Sequence, residues 1–155
     1  MATATEILSW VKGVFDQKEI SYEVLEENNT IKTQFPLKSK LTNFKAYFNC
    51  RDKSYTVNAY ISLSADEDSR QRIAEYITRA NYGLRFGNFE MDFSDGEIRY
   101  RLTVDCEDRT GLSESLVMRS IVIPMTMFDR YGDGLVAVLF GIKSPEEAIA
   151  DAEKD

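Results

Sequence analysis

The dipeptide Asp95-Gly96 places the strongest local constraint on the fold, because it lies between two segments of alternating apolar and polar residues. A two-residue hairpin turn needs positive backbone φ, which glycine adopts without strain. One face of the resulting hairpin carries the apolar residues Phe89, Met91, Phe93, Ile98, Tyr100 and Leu102. The other face carries two opposite-charge pairs, Asp92 with Arg99 and Glu90 with Arg101. The alternation therefore predicts an antiparallel hairpin with one buried and one solvated face.

A second hairpin is predicted around Asp52-Lys53, because the residues on both sides of this dipeptide also alternate. A loop of those two residues brings three apolar pairs face to face: Phe48 with Val57, Ala46 with Ala59, and Phe44 with Ile61. Since all three pairs fall on one face, they fix the register of the two strands. The opposite face carries Tyr47 and Tyr60. Upstream, residues 22–26 and 30–35 are each predicted as a short strand.

Two helices are predicted from periodicity and from capping residues. Apolar residues recur at helical spacing over residues 4–18, and Trp10 lies at the edge of their stripe. The segment Ser64-Ala-Asp-Glu67 has the spacing of a capping box, which predicts a helix from there to about Asn81. Gly83 is predicted to end that helix in the left-handed conformation.

The C-terminal third of the chain is predicted to be helical. Ser113 is the expected N-cap of a strongly apolar helix over residues 116–128, which Pro124 should kink or break. The segment Ser144-Pro-Glu-Glu147 predicts a last helix that ends in the acidic tail of residues 151–155. A helix that is apolar nearly all round is either central to the core or partly covered by another subunit.

These elements together predict an α+β fold with a twisted antiparallel sheet of four to six strands and helices packed on one face. The expected order is α-β(-β)-β-β-α-β-β-α(-α). The length of 155 residues and the lack of a linker or repeat predict a single domain over residues 1–155.

Charge and composition argue against several classes of function. The chain has 19 basic and 26 acidic residues, a net charge of −7, which argues against nucleic-acid partners and against anionic membrane surfaces. The N-terminus lacks the basic and apolar regions of a signal peptide, and no apolar run approaches the ~20 residues that cross a bilayer. These features predict a cytoplasmic protein.

The sequence offers little material for catalysis or metal binding. It contains no histidine, so a histidine-dependent catalytic triad is excluded. The segment Asp129-Arg-Tyr-Gly-Asp133-Gly resembles the start of a calcium loop, but Phe140 occupies the position of the bidentate glutamate. We interpret that segment as a tight polar turn between two helical segments, and Cys50 and Cys106 as apolar strand residues. The expectation is a protein that is not an enzyme and has no metal and no cofactor.

Three aromatic residues are the candidates for a partner-binding surface: Trp10, Tyr47 and Tyr60. Tyrosine and tryptophan suit interfaces because each combines a large apolar ring with a polar group. The alternative interpretation is that these residues pack under a neighbouring helix or loop.

A resemblance to a known family is carried by residues 81–101. This stretch has an asparagine at the end of a helix, Gly87 at the entry to a strand, then Asp95-Gly96 and Tyr100-Arg101. Similar features follow at Leu112-Ser113, Asp129-Arg-Tyr131 and Gly141. Over residues 20–142 the chain resembles the YbjN family of bacterial proteins. The resemblance implies a fold similar to type III secretion chaperones, which bind a client segment and hydrolyse nothing, and a role in sensory-transduction regulation.

The expected function is a non-enzymatic, homodimeric module that binds a protein or peptide partner as a chaperone-like adaptor or regulator in bacterial signalling or stress response. Residues 30–35 are expected to form an edge strand to which a partner segment could add. The alternative is a regulatory domain that senses a small ligand in a pocket between sheet and helices. The apolar excess over residues 116–128 is the reason for expecting a dimer.

Overall fold

The computed structural model describes residues 1–154, so Asp155, the last residue of the predicted domain and tail, lies outside the described residues. The strands are β1 (Glu23–Leu25), β2 (Thr30–Pro36), β3 (Asn43–Arg51), β4 (Ser54–Ser64), β5 (Asn88–Met91) and β6 (Glu97–Asp105). The helices are α1 (Ala4–Gln17), α2 (Arg70–Asn81), α3 (Glu114–Leu139) and α4 (Pro145–Ala152). The predicted α+β class and element order are confirmed, with both the optional strand and the optional last helix present.

The strands form one six-stranded antiparallel sheet in the order β1-β2-β3-β4-β6-β5. The predicted hairpin at Asp52-Lys53 is confirmed, since Phe48 pairs with Val57 and Ala46 pairs with Ala59. Lys53 has a φ of 70°, as a turn of this length requires.

The hairpin between β5 and β6 differs from its prediction by two residues in register. Glu90 pairs with Arg99, and the loop contains residues 93–96 because the Asp92 N–H donates to the carbonyl of Glu97. The Asp92 carboxylate accepts the N–H of Ser94 at 2.8 Å instead of meeting Arg99, which favours this longer loop. A shift of two keeps each side chain on its predicted face, but Phe93 leaves the ladder and is 53% exposed.

The helices α1, α2 and α3 pack on one face of the sheet, where the side chains of the core meet, and α4 packs on α2 and α3. Phe15 of α1 makes an edge-to-face contact with Phe48, with ring centroids 5.2 Å apart. Phe128 of α3 contacts the rings of Phe44 and Phe89 at 5.7 and 5.8 Å. Because α3 packs against β6 and against the three other helices, it is the central helix of this layer.

One prediction about α3 is wrong: the segment Asp129–Gly134 lies inside the helix and is not a turn. Of the two effects predicted for Pro124, a kink or a break, the break does not occur, since the helix continues through this buried residue. The Asp129 carboxylate accepts the N–H groups of Lys38 and Ser39 at 2.8 and 3.0 Å, so it holds the β2–β3 loop. Asp133 accepts the N–H of Lys40 at 2.8 Å in the same way. The carboxylates that resembled a calcium loop therefore satisfy backbone donors.

The start of α2 also differs from its prediction. Ser64 is the last residue of β4, and the helix begins at Arg70, so the predicted capping box is not formed. Asp66 instead accepts the N–H of Ser69 at 2.9 Å in the connection. The predicted left-handed Gly83 is confirmed with a φ of 88°. The predicted caps at Ser113 and Ser144 are also confirmed, since each accepts an N–H from the first turn of its helix.

The prediction that residues 30–35 form an edge strand is wrong. β2 lies between β1 and β3, because β1 pairs with Thr30, Ile31 and Lys32. At the edge of the sheet that β5 forms, the Asn81 side chain donates to the carbonyl of Phe89 at 2.9 Å and accepts the N–H of Phe89 at 2.8 Å. A side chain thus occupies the outward backbone groups at the middle of β5, which protects this edge from pairing with another strand.

Candidate partner-binding face

The side of the sheet that faces away from the helices is uncovered, and we call it the open face. The strand register arranges its side chains in rows that cross the sheet. One row consists of Lys32, Tyr47, Asn58 and Arg101 on β2, β3, β4 and β6. The next row consists of Lys45, Tyr60, Arg99 and Glu90 on β3, β4, β6 and β5. Both rows therefore place a lysine beside a tyrosine and an arginine further along.

The two tyrosines lie together at the centre of the open face. The ring centroids of Tyr47 and Tyr60 are 5.6 Å apart and their planes are nearly perpendicular, an edge-to-face contact. The ammonium of Lys32 lies 5.9 Å from the centroid of the Tyr47 ring, and the guanidinium of Arg99 donates to the Tyr60 hydroxyl at 3.2 Å. Both rings are half-buried, so their apolar surfaces stay accessible while these contacts fix their orientation.

Glu90 holds the two arginines of the open face in place. Its carboxylate accepts from Arg99 Nε at 2.8 Å and forms a bidentate pair with Arg101, whose Nε donates to Oε1 at 3.1 Å and whose Nη2 donates to Oε2 at 2.9 Å. Burial acts to raise the pKa of Glu90, but the hydrogen bonds from Arg101 and Arg99 outweigh it, so the pKa lies below its usual value. A carboxylate that is shared by two guanidiniums is poorly suited to proton transfer, which agrees with the interpretation of this group as a salt pair.

Polar side chains extend the open face beyond the tyrosines. Asn58 donates to Asn49 at 2.7 Å, and Asn49 donates to the hydroxyl of Thr30 at 3.0 Å. A shallow hollow of about 360 Å³ is lined by Lys45, Tyr47, Asn49, Tyr60 and Glu97. A neighbouring hollow of about 480 Å³ is lined by Glu90, Met91, Asp92, Glu97 and Arg99. The open face thus carries two shallow concave surfaces beside the tyrosine pair.

A hollow at the sheet–helix interface is far smaller than those on the open face. The hollow between Phe89, Phe128, Tyr131 and their neighbours measures about 10 Å³. That volume holds at most one water, whereas ligand pockets of drug-sized molecules measure roughly 300–1,000 Å³. This hollow is therefore too small to be the ligand pocket that the alternative interpretation expects between sheet and helices.

The structure brings together two of the three predicted binding residues. Tyr47 and Tyr60 lie side by side on the open face, whereas Trp10 belongs to α1 on the covered side and packs against the core. Trp10 and the tyrosines therefore cannot contact one compact partner surface. Sequence reasoning missed Lys32 and Lys45 as neighbours of the tyrosines, and the signal that could have found them was the alternation of β2 and β3.

The cysteines do not form a redox or metal site. Cys50 lies on β3 and Cys106 follows β6, with β4 between these strands, and both are free and buried. Burial raises the pKa of Cys50 to about 12 and also raises the pKa of Cys106, so both stay protonated thiols. Residues 1–154 contain no group of three or more aspartate, glutamate, cysteine or histidine side chains that could hold a metal ion.

Comparisons with known proteins identify a family. Residues 8–136 match the model of the YbjN family, described as "Putative bacterial sensory transduction regulator". The search of curated proteins finds no match. The match covers both hairpins, α2 and most of α3, and so includes the stretch that carried the resemblance. Over the described part of the chain, the helices lack the combined length and apolarity that a bilayer span requires.

Proposed function

This chain belongs to the YbjN family, and from that premise we propose that it is a non-enzymatic regulator that acts by binding a protein segment on its open face. The observation that carries the proposal is the Tyr47–Tyr60 pair, which lies at the centre of the open face of the six-stranded sheet. Rigid aromatic residues with accessible rings contribute strongly to protein interfaces because they lose little conformational entropy on binding.

The two edges of the sheet favour binding on the open face over addition of a strand. Asn81 occupies backbone groups of the edge strand β5, and the opposite edge is formed by β1, which has only three residues, so each edge offers an added strand only a short length of free backbone. We therefore propose that the protein acts as a chaperone-like adaptor through side-chain contacts on its open face. A sheet face recognises its partner through the side chains that point out of it.

Affinity capture from the native host with crosslinking and mass spectrometry tests the proposed function. We expect the double variant Tyr47→Ala/Tyr60→Ala to recover at least about tenfold less of the captured protein, because truncation of even one aromatic anchor costs about 2 kcal/mol, which is about thirtyfold in affinity. The melting temperature should change little, since both rings are only half-buried. Tyr82→Ala is the matched control, because this tyrosine is 92% exposed on the loop after α2. Equal recovery by all three proteins would contradict the proposal.

Homodimerisation stays part of the proposal and uses a different surface. Most apolar side chains of residues 116–128 pack within the single chain, but Met118, Val122 and Met125 form a stripe on α3 in which Val122 is 47% exposed. Residues at this spacing lie on one side of a helix and suit contact with a second copy. Light scattering at micromolar concentration should give about twice the chain mass of 17.8 kDa. A mass of one chain would rule the dimer out.

A further inference from the structure

We propose that the segment bound by the open face is acidic and extended, an inference that rests on the proposed function above. The carrying observation is a cluster that we call the basic-aromatic patch: Lys32, Lys45, Tyr47, Tyr60, Arg99 and Arg101. These four cations lie around one tyrosine pair in a chain whose acidic residues outnumber its basic ones by 26 to 19.

The two lysines of the patch are available to a partner. Within residues 1–154, neither Lys32 nor Lys45 makes an ion pair, whereas Arg99 and Arg101 share Glu90. Two further carboxylates, Glu23 and Glu97, stand at the margins of the patch. A positively charged centre with negative charges at its margins favours an anionic ligand and fixes where that ligand lies on the open face.

The spacing of the cations matches an extended chain that crosses the strands. Neighbouring strands are about 4.8 Å apart, so Lys45 and Arg99 are separated by about 10 Å, and Lys32 and Arg101 by about 14 Å. Every second residue of an extended peptide points to the same side, at intervals of about 6.7 Å. Carboxylates four residues apart in such a peptide, about 13 Å, therefore reach both ends of the longer row, at Lys32 and Arg101.

The geometry favours a peptide over a single-stranded nucleic acid. Bases bind to sheet surfaces by stacking on the faces of aromatic rings. Here the Lys32 ammonium lies over the face of Tyr47, and the two tyrosine rings are turned edge to face. The net charge of −7 also repels a polyphosphate chain. A short acidic peptide carries fewer negative charges than such a chain, so the protein repels it less.

Fluorescence anisotropy on the full chain tests the inference with four defined probes. The first is a fluorescein-labelled 12-residue peptide that alternates glutamate and serine. Its comparators carry lysine or glutamine in place of glutamate, and the fourth probe is a labelled 12-nucleotide oligouridylate. We expect the glutamate peptide to bind about tenfold more tightly than the glutamine peptide at roughly 20 mM salt, with the difference lost above roughly 0.5 M.

A pair of charge-matched variants ties the binding to the patch. The double variant Lys32→Glu/Lys45→Glu should weaken binding of the glutamate peptide by about tenfold or more. It should leave the ion pairs of Glu90 with Arg99 and Arg101 intact. Lys12→Glu/Lys38→Glu makes the same change in net charge away from the open face, on α1 and on the β2–β3 loop, and should have little effect. Equal weakening by both variants would show a general charge effect and overturn the inference.

The remaining outcomes separate this inference from the proposed function. If the glutamate and glutamine peptides bind equally and Tyr47→Ala/Tyr60→Ala abolishes both, the acidic class is wrong and protein binding at the open face stands. If the oligouridylate binds most tightly, the partner is a nucleic acid and both proposals fail. If none of the peptides binds at low salt, the inference is overturned, and the capture experiment decides the proposed function by itself.

Discussion

Gly96→Ala is expected to destabilise the protein by about 3–5 kcal/mol, or roughly 10 °C in melting temperature for a chain of this size. Gly96 has a φ of 78°, where an alanine costs about 1–2 kcal/mol. A Cβ at this position would also overlap the backbone of Ala65, whose carbonyl carbon would lie 2.7 Å away. Backbone cannot rotate away as a side chain can, so the β5–β6 loop or the end of β4 must shift.

Gly83→Ala is the matched control for this prediction. Gly83 has a similar φ of 88°, but a Cβ there would meet nothing within 4 Å. We therefore expect a loss of about 1 kcal/mol from the left-handed conformation alone. Urea unfolding of the two variants gives the comparison directly. Similar losses would mean that Gly96 is required for its backbone angle and not for its contact with Ala65.

Phe128→Ala is expected to cost about 3–5 kcal/mol in the free energy of unfolding. The Phe128 side chain is fully buried between α3 and the sheet, and its ring contacts Phe44, Phe89 and Tyr100 at centroid distances of 5.7, 5.8 and 6.4 Å. These three residues come from β3, β5 and β6, so one truncation opens a cavity that three strands share. The surrounding rings are held by neighbours on both sides and cannot collapse into it.

Phe140→Ala makes the same chemical change at the end of the same helix. Its side chain is 66% exposed, so we expect a change within about 0.5 kcal/mol. Thermal and urea unfolding should both separate the two variants, and circular dichroism should show native helix content for each. A Phe128 variant as stable as the Phe140 variant would contradict the central position of α3.

The local elements could be predicted because their signals are short-range. Alternation at residues 43–50 and 55–63 gave the register of the first hairpin, and the caps at Ser113 and Ser144 gave two helix starts. The register of the second hairpin was harder to predict. A two-residue loop and a loop two residues longer place each side chain on the same face of the sheet, so alternation cannot distinguish them. Only the contacts of Asp92 with Ser94 and of Gly96 with Ala65 select the longer loop.

The candidate site could be predicted only in part. The sequence indicated that Tyr47 and Tyr60 share a solvated face, because they belong to one hairpin. Trp10 was grouped with them by residue type, and the structure places it on the covered side of the sheet. Arg99 and Arg101 join the tyrosines from β6, which is far from β3 in the chain, so no local pattern connects them.

The sequence by itself determined the element order and the two faces of the sheet, because the periods of strands and helices decide locally which side chains are buried. The tertiary structure decided how strands from separate segments lie side by side. That arrangement depends on packing and loop closure across the whole chain. It also decided that α3 continues through Pro124, since burial against the sheet outweighs one missing hydrogen bond. The rows of the open face follow from that long-range order.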